Sequence, residues 1–467
     1  MNVAHYFLGL PPLHGGGLMI YARDIVQELH KKKICNLIYL FPGETNIKDV
    51  KSEIKFYDNI NNINIYKIVN AQFVSFSGFN NPKSFIKDKK ENNYREFLKN
   101  NKIDVLHIHS LMGLPKELII EAKKLGIKII FSVHDYFGLC PKINLYTMDN
   151  KICYDYRNGY ECVKCNLNSN GKEILKRNLN ISYPNLFRLL KTINKIIKKM
   201  NWNRKKGTFE NLGIKKIPSD DKSDGYVAFR NYYLDIIKNF DLIIFNSNVT
   251  KEVFSQYINL DEVNYKVIPV THTNIKDNRK TLKYEPIKNN KITFLFMGYL
   301  DHKKGFFDLI KVFDEIKKEY SNWQLNIYGD YSNINIESYD DKFYKFYGKY
   351  SHDNLKEIFS NSSMIIIPSK CKETFGFIGL EAYSYGIPAL VSENVGFSMV
   401  INENKNGIVY KESKDNIYLK KSIIKILEQP EILKEFNQEI LKDVNFDNYL
   451  IENHTKQIIE CYKSLID

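Results

Sequence analysis

Glu373 and Glu381, separated by the seven residues Thr-Phe-Gly-Phe-Ile-Gly-Leu, are the pair of side chains in this chain best placed by type and spacing to do chemistry. A carboxylate accepts paired hydrogen bonds from a vicinal diol. The segment before them, Met364-Ile-Ile-Ile-Pro368-Ser369, is a short β-branched run ended by proline and predicts a buried parallel strand. Gly376 then opens a helix that carries Glu381 and closes near Gly386-Ile-Pro388. Glu373 is thereby expected on the loop beyond the strand's carboxyl end, where open α/β sheets bind ligands. The unpaired N–H groups of Phe375, Gly376 and Phe377 face the same space, and a helix start favours an anionic phosphate. Two carboxylates beside a phosphate suit a nucleotide sugar, which offers one diol on its ribose and more on its hexose.

With Pro368-Ser369 before it and Ala382, Gly386 and Pro388 after it, this cassette resembles the signature of the retaining glycosyltransferases of family four, the glycogen synthase-like group 1 enzymes. The resemblance implies an α/β chain of GT-B fold, with two Rossmann-like domains facing across a cleft. It implies that Glu373 contacts the donor sugar and Glu381 the ribose hydroxyls, with Phe375, Gly376 and Phe377 at the phosphates.

Other segments extend the resemblance. Val3 to Leu10 predicts a strand, and Pro11-Pro12-Leu-His14-Gly15-Gly16-Gly17 a loop into a helix from about Leu18 to Lys33. Glycines at such a junction let a backbone approach a phosphate closely. The family places Gly16 and Gly17 under the donor diphosphate. Asp104 to His109 and Lys128 to Asp135 predict two further strands. His134, at the end of the second, matches the family's histidine near the donor sugar and the acceptor hydroxyl. His109 is a second candidate, with a structural role equally open. Ile292 to Gly298, followed by Tyr299, Lys304 and Gly305, predicts a strand and a phosphate loop before a helix from about Phe306 to Tyr320. In the family an arginine after the glycine and a lysine neutralise the diphosphate as its glycosidic bond breaks. Here Lys304 is kept, but Tyr299 replaces the arginine and supplies no charge. Phe346 to Tyr350 resembles the loop that touches the nucleobase. Met399 and the run Val270-Thr-His272-Thr are two further departures, standing where the family commonly has a glutamate and Asn-Gly.

The 467 residues, 43% of them hydrophobic, suffice for two domains with sizeable cores. The expected organisation is an N-terminal Rossmann-like acceptor domain over 1–280, a donor domain over 281–445 and a terminal helix over 446–467 that crosses back to the first domain. Cleft closure is expected to bring the glycine loop and His134 to Lys304, Glu373 and Glu381. No run of 18 apolar residues occurs and the N-terminus has no basic leader, so a cytoplasmic location is expected. The net charge of +14 accompanies abundant Lys, Asn, Ile and Tyr, the signature of an AT-rich genome, and no nucleic-acid partner is expected.

An insertion, roughly 138–225, is the expected seat of acceptor specificity. It contains Cys140, Cys153, Cys162 and Cys165, the last two with zinc-ligand spacing. A four-thiolate structural zinc site and plain free thiols are both open readings; disulfides conflict with the expected compartment. Leu186 to Lys206 places apolar residues on one helical face and basic residues on the other, and it contains no acidic residue. It suits either an anionic membrane surface or packing on the first domain.

These readings lead to a retaining hexosyltransferase. Its donor is a UDP- or GDP-sugar, its acceptor a saccharide or lipid-linked saccharide, and its setting cell-surface polysaccharide synthesis such as capsule formation. No cofactor is required for catalysis. The rivals are a catalytically silent GT-B subunit that binds a partner transferase or glycan, and a sugar-nucleotide epimerase or hydrolase.

Overall fold

Strands made wholly of apolar, β-branched residues need cover on both faces, which points to parallel sheets flanked by helices. The computed structural model of the chain contains two such sheets and describes residues 1–9, 16–45, 51–154, 158–169, 172–183 and 223–467. The basic segment Leu186 to Lys206 and Gly15 of the glycine loop lie outside the described residues.

The first sheet has eight strands: β1 Asn2–Tyr6, β2 Asn36–Pro42, β3 Glu53–Ile60, β4 Ile63–Val69, β5 Val105–Ile108, β6 Lys128–Val133, β7 Leu242–Phe245 and β8 Tyr265–Val267. Their order is β3-β4-β2-β1-β5-β6-β7-β8. The pairs β4–β2, β2–β1, β1–β5 and β5–β6 are parallel, and the ribbon β3–β4 is antiparallel. That ribbon turns on Asn61-Asn62, whose φ of 52° and 64° suit the tight two-residue hairpin that asparagine tolerates. β1 ends sooner than its apolar run suggests, because the chain leaves the sheet after Tyr6 and turns at Gly9 with φ 132°.

The second sheet has β9 Ile287–Lys288, β10 Lys291–Met297, β11 Trp323–Tyr328, β12 Tyr344–Gly348, β13 Met364–Ile367, β14 Ala389–Ser392 and β15 Gly407–Tyr410. Six run in the order β12-β11-β10-β13-β14-β15, while β9 pairs antiparallel with β10 through a second Asn-Asn turn, Asn289-Asn290. This is the doubly wound order, in which the connections reverse direction between β10 and β13. The core beneath it centres on Trp323, fully buried, with the rings of Phe313 and Phe343 centred 4.5 and 4.7 Å away. Its indole N–H donates to the Tyr320 carbonyl, so the large ring is buried with its polar atom satisfied.

The chain divides into two units. One comprises Met1–Ile143, Cys153–Ile243 and Leu465–Asp467; the other comprises Asn144–Ile152 and Ile244–Ser464. A 3-10 turn, Val444–Tyr449, precedes the last helix, Ile451–Ile466. Among the described residues, no helix is long and apolar enough to cross a membrane.

Candidate active site

The reversal between β10 and β13 leaves a gap at the carboxyl ends of the two strands, and the loops leaving them carry Lys304 and Glu373. Backbone contacts fix both loops. The N–H groups of Lys370 and Cys371 donate to the Lys303 carbonyl at 2.8 and 3.3 Å. Gly305 has φ 72°, and a Cβ there would overlap the Pro368 carbonyl, so glycine alone lets the loops approach this closely. Glu373 is bound on both sides: its N–H donates to the Asn394 carbonyl at 2.8 Å, and its carbonyl accepts from Gly396 N–H at 3.0 Å.

Lys304 Nζ and Glu373 Oε1 form an ion pair, and Ser369 Oγ donates to the same carboxylate oxygen at 3.0 Å. Burial pulls the Lys304 ammonium below the usual lysine pKa, while Cys371 and Asp301 pull it upward. The side chain still keeps 31% of its surface exposed, so desolvation is partial and the ion pair works against it. The pair borders a cavity of about 180 Å³ lined also by Phe296, Met297, Ser369 and Phe377.

Glu381 lies on the helix Phe377–Tyr383, which opens at Gly376 with φ 97°. Its Oε1 stands 3.3 Å from both His272 Nε2 and His352 Nδ1. Glu381 is 4% exposed, and its Oε2 has no hydrogen-bond partner. His272 is equally buried, its Nδ1 is unpartnered, and its ring meets that of Phe377 edge-on at 5.0 Å. Such buried acceptors are rare because desolvating them without a bond is costly. Tyr350 is half-buried, and burial together with the Glu381 charge raises its phenol pKa. Phe375 is buried. Gly298 follows β10 with φ 148° and no atom within 4 Å of where a Cβ would stand, while Tyr299 is 74% exposed.

In the first unit, His134 directly follows β6 and stands at the head of a line of imidazoles. His109 Nδ1 is 3.4 Å from His134 Nε2, and His109 Nε2 is 3.1 Å from His5 Nδ1. The Tyr21 ring lies 4.7 Å from that of His134. Burial lowers the His5 pKa to about 3, which keeps that imidazole neutral. Asp135 accepts from the Phe137 N–H at 2.8 Å, and its burial pushes its pKa up to about 6. Gly16, with φ 114°, caps the helix Gly17–Lys32, and no atom lies within 4 Å of where its Cβ would stand.

Sequence reasoning brought out Lys304, Glu373 and Glu381, but not the two histidines on Glu381. His272 was visible only as part of the run Val270-Thr-His272-Thr that departs from the family's Asn-Gly. His352 lies in the 3-10 turn His352–Asn354 and carried no sequence signal. Cys371 is 7% exposed beside the Lys304 loop.

Residues 277–443 match the family described as glycosyl transferases group 1. An uncharacterised glycosyltransferase of Methanocaldococcus jannaschii is 28% identical over 186 residues, 38% of this chain and 46% of its own length. An uncharacterised 41.2 kDa protein from the cps region of Klebsiella pneumoniae is 28% identical over 126 residues, 26% of this chain and 34% of its own. The chain thus spans less than half the length of these curated relatives. Among solved structures, a glycosyltransferase from Rickettsia africae superposes with a TM-score of 0.58 at 14% identity, covering 100% of this chain and 99% of that one. Anabaena HepE in complex with UDP and glucose superposes with a TM-score of 0.52 at 11% identity, covering 99% of this chain and 100% of that one. The chain therefore carries a glycosyltransferase group 1 domain over residues 277–443, within a two-unit α/β architecture of GT-B fold.

Proposed function

We propose that the protein is a retaining hexosyltransferase that uses a nucleoside diphosphate sugar and delivers the sugar to a saccharide or lipid-linked saccharide. The observation that carries this reading is the buried, unpartnered Oε2 of Glu381, on the same helix-opening cassette as the Lys304–Glu373 pair. A ribose hydroxyl satisfies that acceptor, Lys304 meets the diphosphate, and Glu373 accepts from hydroxyls of the donor sugar. His134 serves the acceptor side, with His109 behind it fixing which ring nitrogen carries the proton. The acceptor hydroxyl attacks on the face from which the diphosphate leaves, and a leaving phosphate oxygen helps to take its proton. Lys304 stabilises the charge that develops there.

The HepE complex with UDP and glucose supports a UDP-sugar donor, and the Klebsiella relative's place in a cps region supports work on a surface polysaccharide. In this proposal the enzyme works in the cytoplasm, peripheral to the membrane where lipid-linked acceptors reside. A silent glycan- or partner-binding subunit is the second reading, favoured by the exposed Tyr299 in place of an arginine.

Calorimetric titration of UDP, GDP and ADP and their sugar conjugates, on wild type beside Glu381→Ala, separates these readings. Micromolar binding of one diphosphate that the variant loses, with diphosphate release accelerated by acceptor, supports the transferase. Absence of binding by every diphosphate favours the silent subunit. Release that needs no acceptor points to hydrolysis instead.

A further inference from the structure

Glu381 holds its carboxylate where, among the described residues, no lysine or arginine comes within 4.0 Å of it. A carboxylate that is 4% exposed needs hydrogen-bond donors in place of water. Its Oε1 faces two imidazole nitrogens, His272 Nε2 and His352 Nδ1, each at 3.3 Å. Its Oε2 faces none. The two oxygens of this carboxylate are therefore unequal: protein occupies one, and the other is left for a ligand.

The surroundings fix the tautomer of His272. Its Nδ1 is buried and has no partner. A neutral ring that donates from Nε2 leaves only a bare lone pair at Nδ1. The opposite tautomer would orphan an N–H there and set the Nε2 lone pair against the carboxylate. The ring itself is held in place. It is 2% exposed, and its centre lies 5.0 Å from that of Phe377 and 5.5 Å from that of His352. The His272 carbonyl accepts from Ile275 N–H at 3.0 Å, and the Thr271 hydroxyl before it donates to the Tyr449 carbonyl. His352 opens the 3-10 turn His352–Asn354, where its carbonyl accepts from Leu355 N–H, and its side chain keeps 39% of its surface exposed.

We infer, resting on the donor reading proposed above, that His272 and His352 are positioning residues for the nucleotide. By donating to Oε1 they stop the carboxylate from turning and reserve Oε2 for the ribose hydroxyls. His272 is the buried anchor, and His352 completes the pair at the solvent edge. Neither touches the ribose; each acts through Glu381. Loss of either donor lets the carboxylate rotate, and Oε2 is no longer aimed at the sugar.

The test is calorimetric binding of UDP, GDP and ADP to the full chain, beside their dideoxyribosyl analogues, which lack both ribose hydroxyls. Wild type should prefer the ribose form of its best diphosphate by about 10-fold or more, and Glu381→Ala should abolish the preference. His352→Leu, at a site exposed enough to tolerate it, should cut the preference by about 3- to 10-fold while the dideoxy form binds as it does to wild type. His352→Asn and His272→Gln, whose amide nitrogens fall near the lost ring nitrogens, should keep the preference within about 2-fold of wild type. A preference unchanged in His352→Leu, a loss shared by the dideoxy form, or a His352→Asn variant as weak as His352→Leu overturns the positioning role and leaves the donor reading standing. Wild type that binds no diphosphate, or binds both sugar forms alike, overturns the donor reading and this inference with it. If His272→Gln fails to fold, the two His352 variants decide.

Discussion

Replacing Lys304 with methionine separates what the ion pair does for stability from what it does for the ligand. Methionine keeps much of the apolar stem and removes the charge. In the folded protein the lost partner is Glu373, whose side chain is 14% exposed and retains the Ser369 hydroxyl at 3.0 Å. A partly solvated pair of this kind contributes about 0.5–1 kcal/mol, so chemical denaturation should show a loss no larger than that. A charge-assisted bond to a phosphate is worth about 1.5–3 kcal/mol, which is roughly 10- to 150-fold in Kd. Calorimetry with the preferred nucleoside diphosphate should therefore show a weakening in that range. The corresponding nucleoside, which has no phosphate for Lys304 to meet, should bind the variant as it binds wild type. Equal losses for nucleoside and diphosphate, or an unchanged diphosphate Kd, would refute the assignment of Lys304 to the phosphates.

Glu381→Gln should weaken nucleoside and nucleoside diphosphate alike, by about 10-fold or more, because the ribose diol is common to both; a loss confined to the diphosphate would contradict the proposed contact. Gly305→Ala should destabilise the second unit by more than about 1 kcal/mol, since it combines a positive φ with an overlap on the Pro368 carbonyl, and a variant melting with wild type would show that the loops can part freely. His454, 1% exposed, has its pKa lowered to about 4 by burial, opposed by a hydrogen bond with the Pro269 backbone. Its neutral folded form leaves proton uptake to the unfolded chain. Stability should fall as pH drops from about 6.5 to about 4, by up to about 3 kcal/mol, and denaturation of His454→Gln should show a smaller acid loss; an identical loss in both proteins would refute the reasoning.

The strand-loop-helix cassette around Glu373 was legible because each of its parts obeys a local rule. An all-apolar run makes β13, glycine makes the tight opening at Gly376, and the helix Phe377–Tyr383 follows it directly. The surroundings of Glu381 were not legible in the same way. His272 and His352 reach it from segments far apart in sequence, and only the folded second unit puts both at 3.3 Å from one oxygen. The line from His134 through His109 to His5 has the same origin: His109 follows β5 two residues after His107, and parallel pairing sets His5 of β1 beside His107. Tyr299, which departs from the arginine of the resembled pattern, has its side chain largely in solvent.

The latch between the loops after β10 and β13 is made of main-chain groups: two N–H donors on one carbonyl, and a glycine tucked under another. An attachment of this sort is indifferent to neighbouring side chains. The side chains of Tyr299 and Lys303 can therefore be exchanged without changing the spacing of the Lys304–Glu373 pair. In the proposed transferase, these are the positions to randomise toward a different sugar, with Gly305 and the Lys303 carbonyl left as the fixed frame.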